Sequence, residues 1–192
     1  MRLILGLLLS FVIAAAVGLG ATFFSLTHGV AFGTYTIGSW TAWPKTGTQD
    51  IDPYARATFA RSGALPLGLA DGVGFIARTD DAGKALDGRC EVMLSGTTPL
   101  ARFWTLTIYD TEGRLVANIL KRYGFTSQEI VRKADGSFDI SIAPRARSGN
   151  WLPTGGVEQY ILVLRLYDTP VGVATRATRE TLMPTITTRT CA

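Results

Sequence analysis

The sequence has a single histidine, His28, and this scarcity excludes several classes of enzyme. Serine and cysteine nucleophiles normally need a histidine base, but His28 lies beside the N-terminal apolar segment, apart from the rest of the chain. No P-loop, EF-hand or H-E-x-x-H pattern occurs. Residues 72–77 match a G-x-G-x-x-A dinucleotide fingerprint, but they read as a strand with no helix after it. We therefore expect no histidine-dependent triad and no cofactor.

Charge is also sparse, since charged residues make up 18% of the chain and hydrophobic residues 47%. This composition excludes an intrinsically disordered chain. The net charge is +4, yet the basic residues between positions 121 and 147 alternate with acids such as Glu129, Asp135 and Asp139. A mixed surface of this kind lacks the dense basic stripe that binds phosphate backbones. We expect no nucleic-acid partner.

The chain contains only two cysteines, Cys90 and Cys191. They make a poor metal site because a structural zinc ion needs four nitrogen or sulfur ligands, so no metal is expected. In an exported protein, an even number of cysteines favours a disulfide. This bond would close a loop of about 100 residues and contribute at most about 4.7 kcal/mol in the chain-entropy model. Two free, buried thiols are the alternative.

What the chain does have is a long uncharged run at its N-terminus, from Leu3 to Phe24. As a helix this run spans about 33 Å, enough to cross a hydrocarbon core about 30 Å thick. Arg2 precedes the run, and the next lysine or arginine is Lys45. The positive-inside rule therefore predicts a cytoplasmic N-terminus and a periplasmic C-terminal domain.

Two fates of this segment stay open. Its length favours a single-pass anchor in the inner membrane, whereas a signal peptide could be cleaved near Ala14–Ala16 and leave the domain free in the periplasm. Small residues recur every four positions along the run, at Gly6, Ser10, Ala14 and Gly18, so that two anchors could form a weak homodimer. We divide the chain into an anchor or signal sequence (1–24), a linker (25–33) and an exported domain (34–192).

Beyond the linker, alternating apolar segments between turn residues predict strands. One short helix, 54–62, is marked by Asp52 as N-cap and Pro53 at the first helical position. Asp135-Gly136 predicts a hairpin. The pattern indicates a mostly β fold, an antiparallel β-sandwich of jelly-roll type. The predicted strands are 34–43, 73–79, 89–94, 102–109, 114–120, 129–133, 137–142, 157–167 and one within 185–191.

Two motifs carry a resemblance to a known family, Ala101-Arg-Phe-Trp-Thr-Leu-Thr-Ile-Tyr-Asp110 and Gly149-Asn-Trp-Leu-Pro153. The second leads through a Gly-rich turn into the apolar strand that ends at Tyr167. Over roughly residues 99–167 the chain resembles the domain of unknown function 1214 family, uncharacterised bacterial proteins of the cell envelope. The resemblance implies a jelly-roll β-sandwich and no established reaction.

Arg102 and Arg165 lie within otherwise apolar strands, where an unpaired guanidinium is costly. Each should pair with an acid or point into a polar cleft. Nearby aromatic rings are of the kind that lines ligand sites as well as cores. We therefore predict a non-catalytic domain that binds a small ligand or an envelope protein. The predicted ligand-binding residues are Arg102, Trp104, Tyr123, Asn150, Trp151 and Arg165.

The alternative is a hydrolase that acts on envelope glycans with carboxylates and tyrosine. Asp110 and Asp168 each follow an apolar strand in the shared ending Tyr-Asp-Thr. If these strands are neighbours, the two carboxylates could share a pocket at about 5–10 Å, the range of glycosidase pairs. They are weak catalytic candidates, because Asp-Thr also commonly begins a turn.

Overall fold

The structure is a computed structural model that describes residues 2–28, 34–43, 45–62, 67–68, 70–172 and 182–191. Within these residues, the N-terminal helix is followed by a pair of short strands, a second, shorter helix and then the remaining strands. The elements in chain order are α1 (Arg2–His28), β1 (Tyr35–Ile37), β2 (Trp40–Ala42), α2 (Pro53–Ser62), β3 (Gly72–Ala77), β4 (Cys90–Gly96), β5 (Phe103–Asp110), β6 (Gly124–Thr126), β7 (Phe138–Ala143), β8 (Asn150–Pro153), β9 (Tyr160–Tyr167), the 3₁₀ turn η1 (Pro170–Gly172) and β10 (Thr185–Cys191).

Helix α1 is long and apolar enough over Arg2–Ser25 to cross a membrane, and none of this span is buried against the rest of the protein. Two of its hydroxyls are satisfied within the helix. Ser10 Oγ donates to the carbonyl of Gly6 at 2.7 Å, and Thr22 Oγ1 donates to that of Gly18 at 2.9 Å. Such internal bonds suit a medium without water. The helix continues to His28, so the first part of the predicted linker is helical, while 29–33 lie outside the described residues.

Helix α2 begins where its capping residues predict. Asp52 Oδ1 accepts hydrogen bonds from the backbone N–H of Tyr54 at 2.9 Å and of Ala55 at 3.2 Å. These bonds satisfy two of the N–H groups that a helix start leaves without a partner. Trp43, just after β2, packs edge-on against Phe59 of the helix, with ring centroids 5.8 Å apart. The predicted short helix is confirmed, with Pro53 as its first residue.

The strands form two sheets. The larger has the order β1-β2-β3-β9-β5-β6, and the smaller has the order β10-β4-β7-β8. Strand β9 is central to the larger sheet, where it pairs antiparallel with both β3 and β5. In β5 and β9, alternate residues belong to the core cluster, so that one side of each strand joins the core.

The core lies between the sheets and draws on both. Phe75, Ile108 and Leu162 of the larger sheet and Ile140 and Leu152 of the smaller sheet are fully buried in one cluster. The predicted mostly β fold with two sheets is confirmed, and the jelly-roll type stays a prediction. One pairing differs from the predicted antiparallel pattern, because β7 and β8 run parallel.

Several predicted strands were wrong. The segment 34–43 is a hairpin of β1 and β2 that turns at Gly38. Residues 114–120 and 129–133 are all described and form no strand. In the first of these, the Asn118 side chain bonds to the carbonyls of Val116 and Arg122 and to the Arg122 N–H, which closes a compact loop. Apolar alternation alone did not distinguish this loop from a strand.

The predicted disulfide is present in the structure and joins Cys90 to Cys191. These residues face each other where β4 begins and β10 ends. Two aspartates after β3 also hold β10. Thr188 Oγ1 donates to Asp80 Oδ2 at 2.6 Å, and the Ile186 N–H donates to Asp81 Oδ2 at 2.9 Å. The last strand is therefore fastened to the domain by one covalent bond and two carboxylates.

We expect the Cys90→Ser/Cys191→Ser double variant to lose about 2–4 kcal/mol of unfolding free energy, because the disulfide restricts the unfolded chain. Denaturant unfolding of the purified protein measures the loss. Wild type unfolded with a reductant should show the same loss. An unchanged midpoint in both samples would contradict the prediction.

Gly88 sits where two backbone segments approach closely, since a Cβ there would lie 1.8 Å from the carbonyl oxygen of Val157. Gly88→Ala should therefore destabilise the domain by about 1–3 kcal/mol through overpacking. Gly74→Ala is the matched control, because its Cβ would meet only Arg165 Cγ at 4.0 Å. Thermal unfolding of both variants checks this, and equal melting temperatures would refute it.

Candidate functional site

Three of the predicted ligand-binding residues have structural roles. Trp104 is 2% exposed in the core, where it stacks on Phe138 with ring centroids 5.1 Å apart. The buried Asn150 side chain makes three hydrogen bonds of 2.8 Å, two with the backbone of Val131 and one with the carbonyl of Asp139. Trp151 Nε1 donates to the carbonyl of Ala143 at 3.0 Å. The polar side-chain groups of Asn150 and Trp151 are thus used within the fold, and none of the three residues lines the cleft described below.

The half-buried Tyr123 leads into β6, and its carbonyl accepts a hydrogen bond from the Ile108 N–H at 2.9 Å. Arg165 lies on the outer face of the larger sheet. Its guanidinium carbon is 5.6 Å from the centroid of the Tyr109 ring, and its Nη1 donates to the Tyr109 hydroxyl at 3.2 Å. Arg165 thus meets an aromatic partner rather than an acid, the first of its two predicted environments. It is not among the residues that line the cleft described below.

Asp110 and Asp168 lie at opposite ends of the larger sheet. Asp110 pairs with Tyr160 at the start of β9, whereas Asp168 follows Tyr167 at the end of that strand. The strands are neighbours, but because they run antiparallel the shared carboxylate pocket is not formed. A hydrogen bond from the backbone N–H of Arg114 lowers the pKa of Asp110, and the Arg114 side chain lowers it further. A carboxyl with a lowered pKa is a poor general acid.

Arg102 lines an open cleft with a volume of about 600 Å³, and the other predicted ligand-binding residues are not part of its lining. The cleft lies at the end of the larger sheet where β3 and β5 begin and β9 ends. Phe103 and Gly72 are both paired with Tyr167 there. The lining residues are Ala70, Asp71, Arg102, Phe103, Gln128, Tyr167 and Asp168.

Backbone contacts fix the shape of this cleft. The Asp168 N–H donates to the carbonyl of Asp71 at 2.9 Å, and the Arg102 N–H donates to that of Tyr167 at 3.1 Å. A Cβ on Gly72 would lie 2.0 Å from the carbonyl oxygen of Leu166, so only glycine permits this approach of β3 to β9. The segments that carry Asp71, Arg102 and Asp168 are therefore held side by side.

The charged groups of the cleft are loosely paired. Arg102 Nη1 lies 3.9 Å from Asp168 Oδ2, and the two side chains are 84% and 75% exposed. An exposed ion pair of this kind has little strength. The rings of Phe103 and Tyr167 lie beside it, with centroids 5.8 Å apart. The cleft thus offers a cation, two carboxylates and two aromatic rings to a ligand.

Asp168 has a left-handed backbone conformation, with φ of 49°. An L-residue there is strained by about 1–2 kcal/mol, which aspartate tolerates better than most. Such strain is often found at functional sites. Among the described residues, no group of three or more histidine, cysteine, aspartate or glutamate side chains could hold a metal ion.

Sequence reasoning missed Asp71 and Gln128, and it placed Asp168 with the wrong partner. No local pattern marks these residues, because only the register of three strands brings them together. Phe103 and Tyr167 stand out as neighbouring aromatic residues only after that register is known.

Comparisons with known proteins agree with this fold. The family described as "Protein of unknown function (DUF1214)" matches residues 71–171, more than half of the chain. The VPA0106 protein of Vibrio parahaemolyticus is similar in structure, with a TM-score of 0.57 and 21% identity over 71% of this chain and 35% of that one.

An uncharacterised protein from Burkholderia cenocepacia gives a TM-score of 0.46 and 14% identity, covering 90% of this chain and 41% of that one. This chain therefore spans well under half the length of either protein. No curated protein matches it. On the match over residues 71–171, the chain belongs to the DUF1214 family of proteins of unknown function.

Proposed function

We propose that this protein is a non-catalytic binding domain of the bacterial cell envelope, anchored in the inner membrane by α1 and located in the periplasm. The ligand is a small molecule that carries charges of both signs. Helix α1 has the length and apolar composition of a membrane span. The Cys90–Cys191 disulfide suits an oxidising compartment such as the periplasm.

The loose pair of Arg102 and Asp168 is the observation that carries the proposal. Both side chains are exposed in the cleft and 3.9 Å apart, so a ligand can replace their weak mutual contact. A guanidinium binds carboxylates and phosphates, while Asp168 and Asp71 suit an ammonium group. The rings of Phe103 and Tyr167 add a surface for cation–π or apolar contact.

The lining also explains why we propose binding rather than catalysis. Its described members include no serine, cysteine, lysine or histidine side chain. A serine, cysteine or lysine nucleophile and a histidine base to activate it are therefore lacking there. The carboxylate pair of the hydrolase hypothesis is divided between the two ends of the sheet.

We expect phosphoethanolamine, which carries both charges, to bind more tightly than inorganic phosphate or ethanolamine alone. Arg102→Ala should weaken its binding about tenfold or more, because a hydrogen bond to a charged group contributes about 1.5–3 kcal/mol. Saturation-transfer NMR on the full chain in detergent measures the three affinities. Arg78→Ala is the matched control, an exposed arginine just after β3 at the other end of the sheet. Equal affinities in the Arg102 and Arg78 variants would refute the proposal.

Variants of Asp168 separate its side chain from its backbone conformation. The unfolding free energy of Asp168→Gly should exceed that of Asp168→Ala by about 1 kcal/mol, because glycine adopts the left-handed conformation freely. Both variants should bind phosphoethanolamine more weakly than wild type. Denaturant unfolding and the NMR titration test the two statements. Wild-type affinity in either variant would show that the carboxylate takes no part in binding.

A further inference from the structure

We propose that the cleft end of the domain rests on the surface of the membrane that α1 enters, with the cleft open to the phospholipid headgroups. This inference rests on the proposed anchoring by α1 and deepens it, because it assigns the ligand to the headgroup layer. Chain direction, the position of α2 and the residues at the rim of the cleft support it.

The direction of β1 places the anchor at the cleft end. Tyr35 lies in the same row as Phe75, and Ile37 lies in the same row as Ala77, so β1 runs away from Gly72 and the cleft. Tyr35, the first residue of β1, is therefore at the end of the strand nearer the cleft. The seven steps from His28 to Tyr35 can span at most about 25 Å, which keeps β1 close to the end of α1.

Helix α2 lies at this same end. Strand β2 runs antiparallel to β1 and leaves the sheet toward the cleft, and β3 starts there at Gly72. The intervening helix comes within 8 Å of α1, measured between Cα atoms. It carries Tyr54, which is 38% exposed, and the exposed Arg56. Aromatic and cationic side chains of this kind are enriched where a protein meets lipid headgroups.

The rim of the cleft has matching chemistry. Leu100 is 80% exposed, and its carbonyl accepts a hydrogen bond from Thr169 Oγ1 at 2.7 Å, which fixes it beside the cleft. Arg102 stands two residues further on, with its side chain 84% exposed. A headgroup layer would cover the leucine and supply phosphates to the arginine.

The opposite end of the domain provides a matched control. Ile119 is 99% exposed in the loop between β5 and β6, beyond the end of β5 that is furthest from the cleft. It is as apolar and as accessible as Leu100. If exposure and apolar character alone decided membrane contact, Leu100 and Ile119 would both contact the membrane. The proposed orientation puts only Leu100 there.

Single spin labels at Leu100→Cys and Ile119→Cys test the orientation in the full chain, reconstituted in phosphatidylethanolamine–phosphatidylglycerol nanodiscs. The native cysteines are joined in the disulfide, so the introduced thiol reacts alone. Collision rates with lipid-soluble oxygen and with water-soluble nickel EDDA report the depth of each label. We expect the ratio of oxygen to nickel collisions to be several-fold higher at position 100 than at 119.

Equal ratios at the two positions, or a higher ratio at 119, would overturn the inference. The inference would also be overturned if the purified protein had lost α1 and did not associate with the nanodisc. These results are distinct from failure of ligand binding. If the protein does not bind phosphoethanolamine but the label at position 100 still shows the higher collision ratio, the proposed orientation stands and the proposed ligand is wrong.

Discussion

The register of β9 between β3 and β5 is the constraint on which the rest of the structure depends. Because side chains alternate between the two faces of a strand, a slip of one residue would exchange the core-facing and outward-facing sets of β9. Burial of Leu162, Leu164 and Leu166 opposes such a slip. The same register puts Tyr167 beside Phe103 at the sheet end. The hydrophobic core and the cleft are thus set by one pairing.

The ion pairs that stabilise the fold are shorter than the ion pair in the cleft. Arg89 donates to the Asp87 carboxylate and lowers its pKa to about 2, and Arg147 likewise lowers the pKa of Glu91. These contacts are 2.6 Å and 2.7 Å long, against 3.9 Å for Arg102 and Asp168. A ligand in the cleft therefore has no tight ion pair to break.

Local features that act over a few residues could be predicted from the sequence. The Asp52 cap, the β10 segment and the N-terminal apolar helix depend on neighbours along the chain. Errors arose where distant residues decide the outcome. The side-chain bonds of Asn118 replaced a predicted strand by a loop, and the parallel β7–β8 pair follows no local pattern. The cleft residues Asp71 and Gln128 come together only through sheet register, so composition and spacing could not reveal them.

A weakly paired, open cleft and the proposed membrane anchor are physically complementary. An exposed site of this kind gives modest affinity, because water screens its charges. A short tether raises the effective concentration of a nearby partner toward the millimolar range. The few residues between α1 and β1 provide such a tether if the ligand belongs to the headgroup layer. Under that arrangement α1, whose span is not buried against the rest of the protein, still determines how often the cleft is occupied.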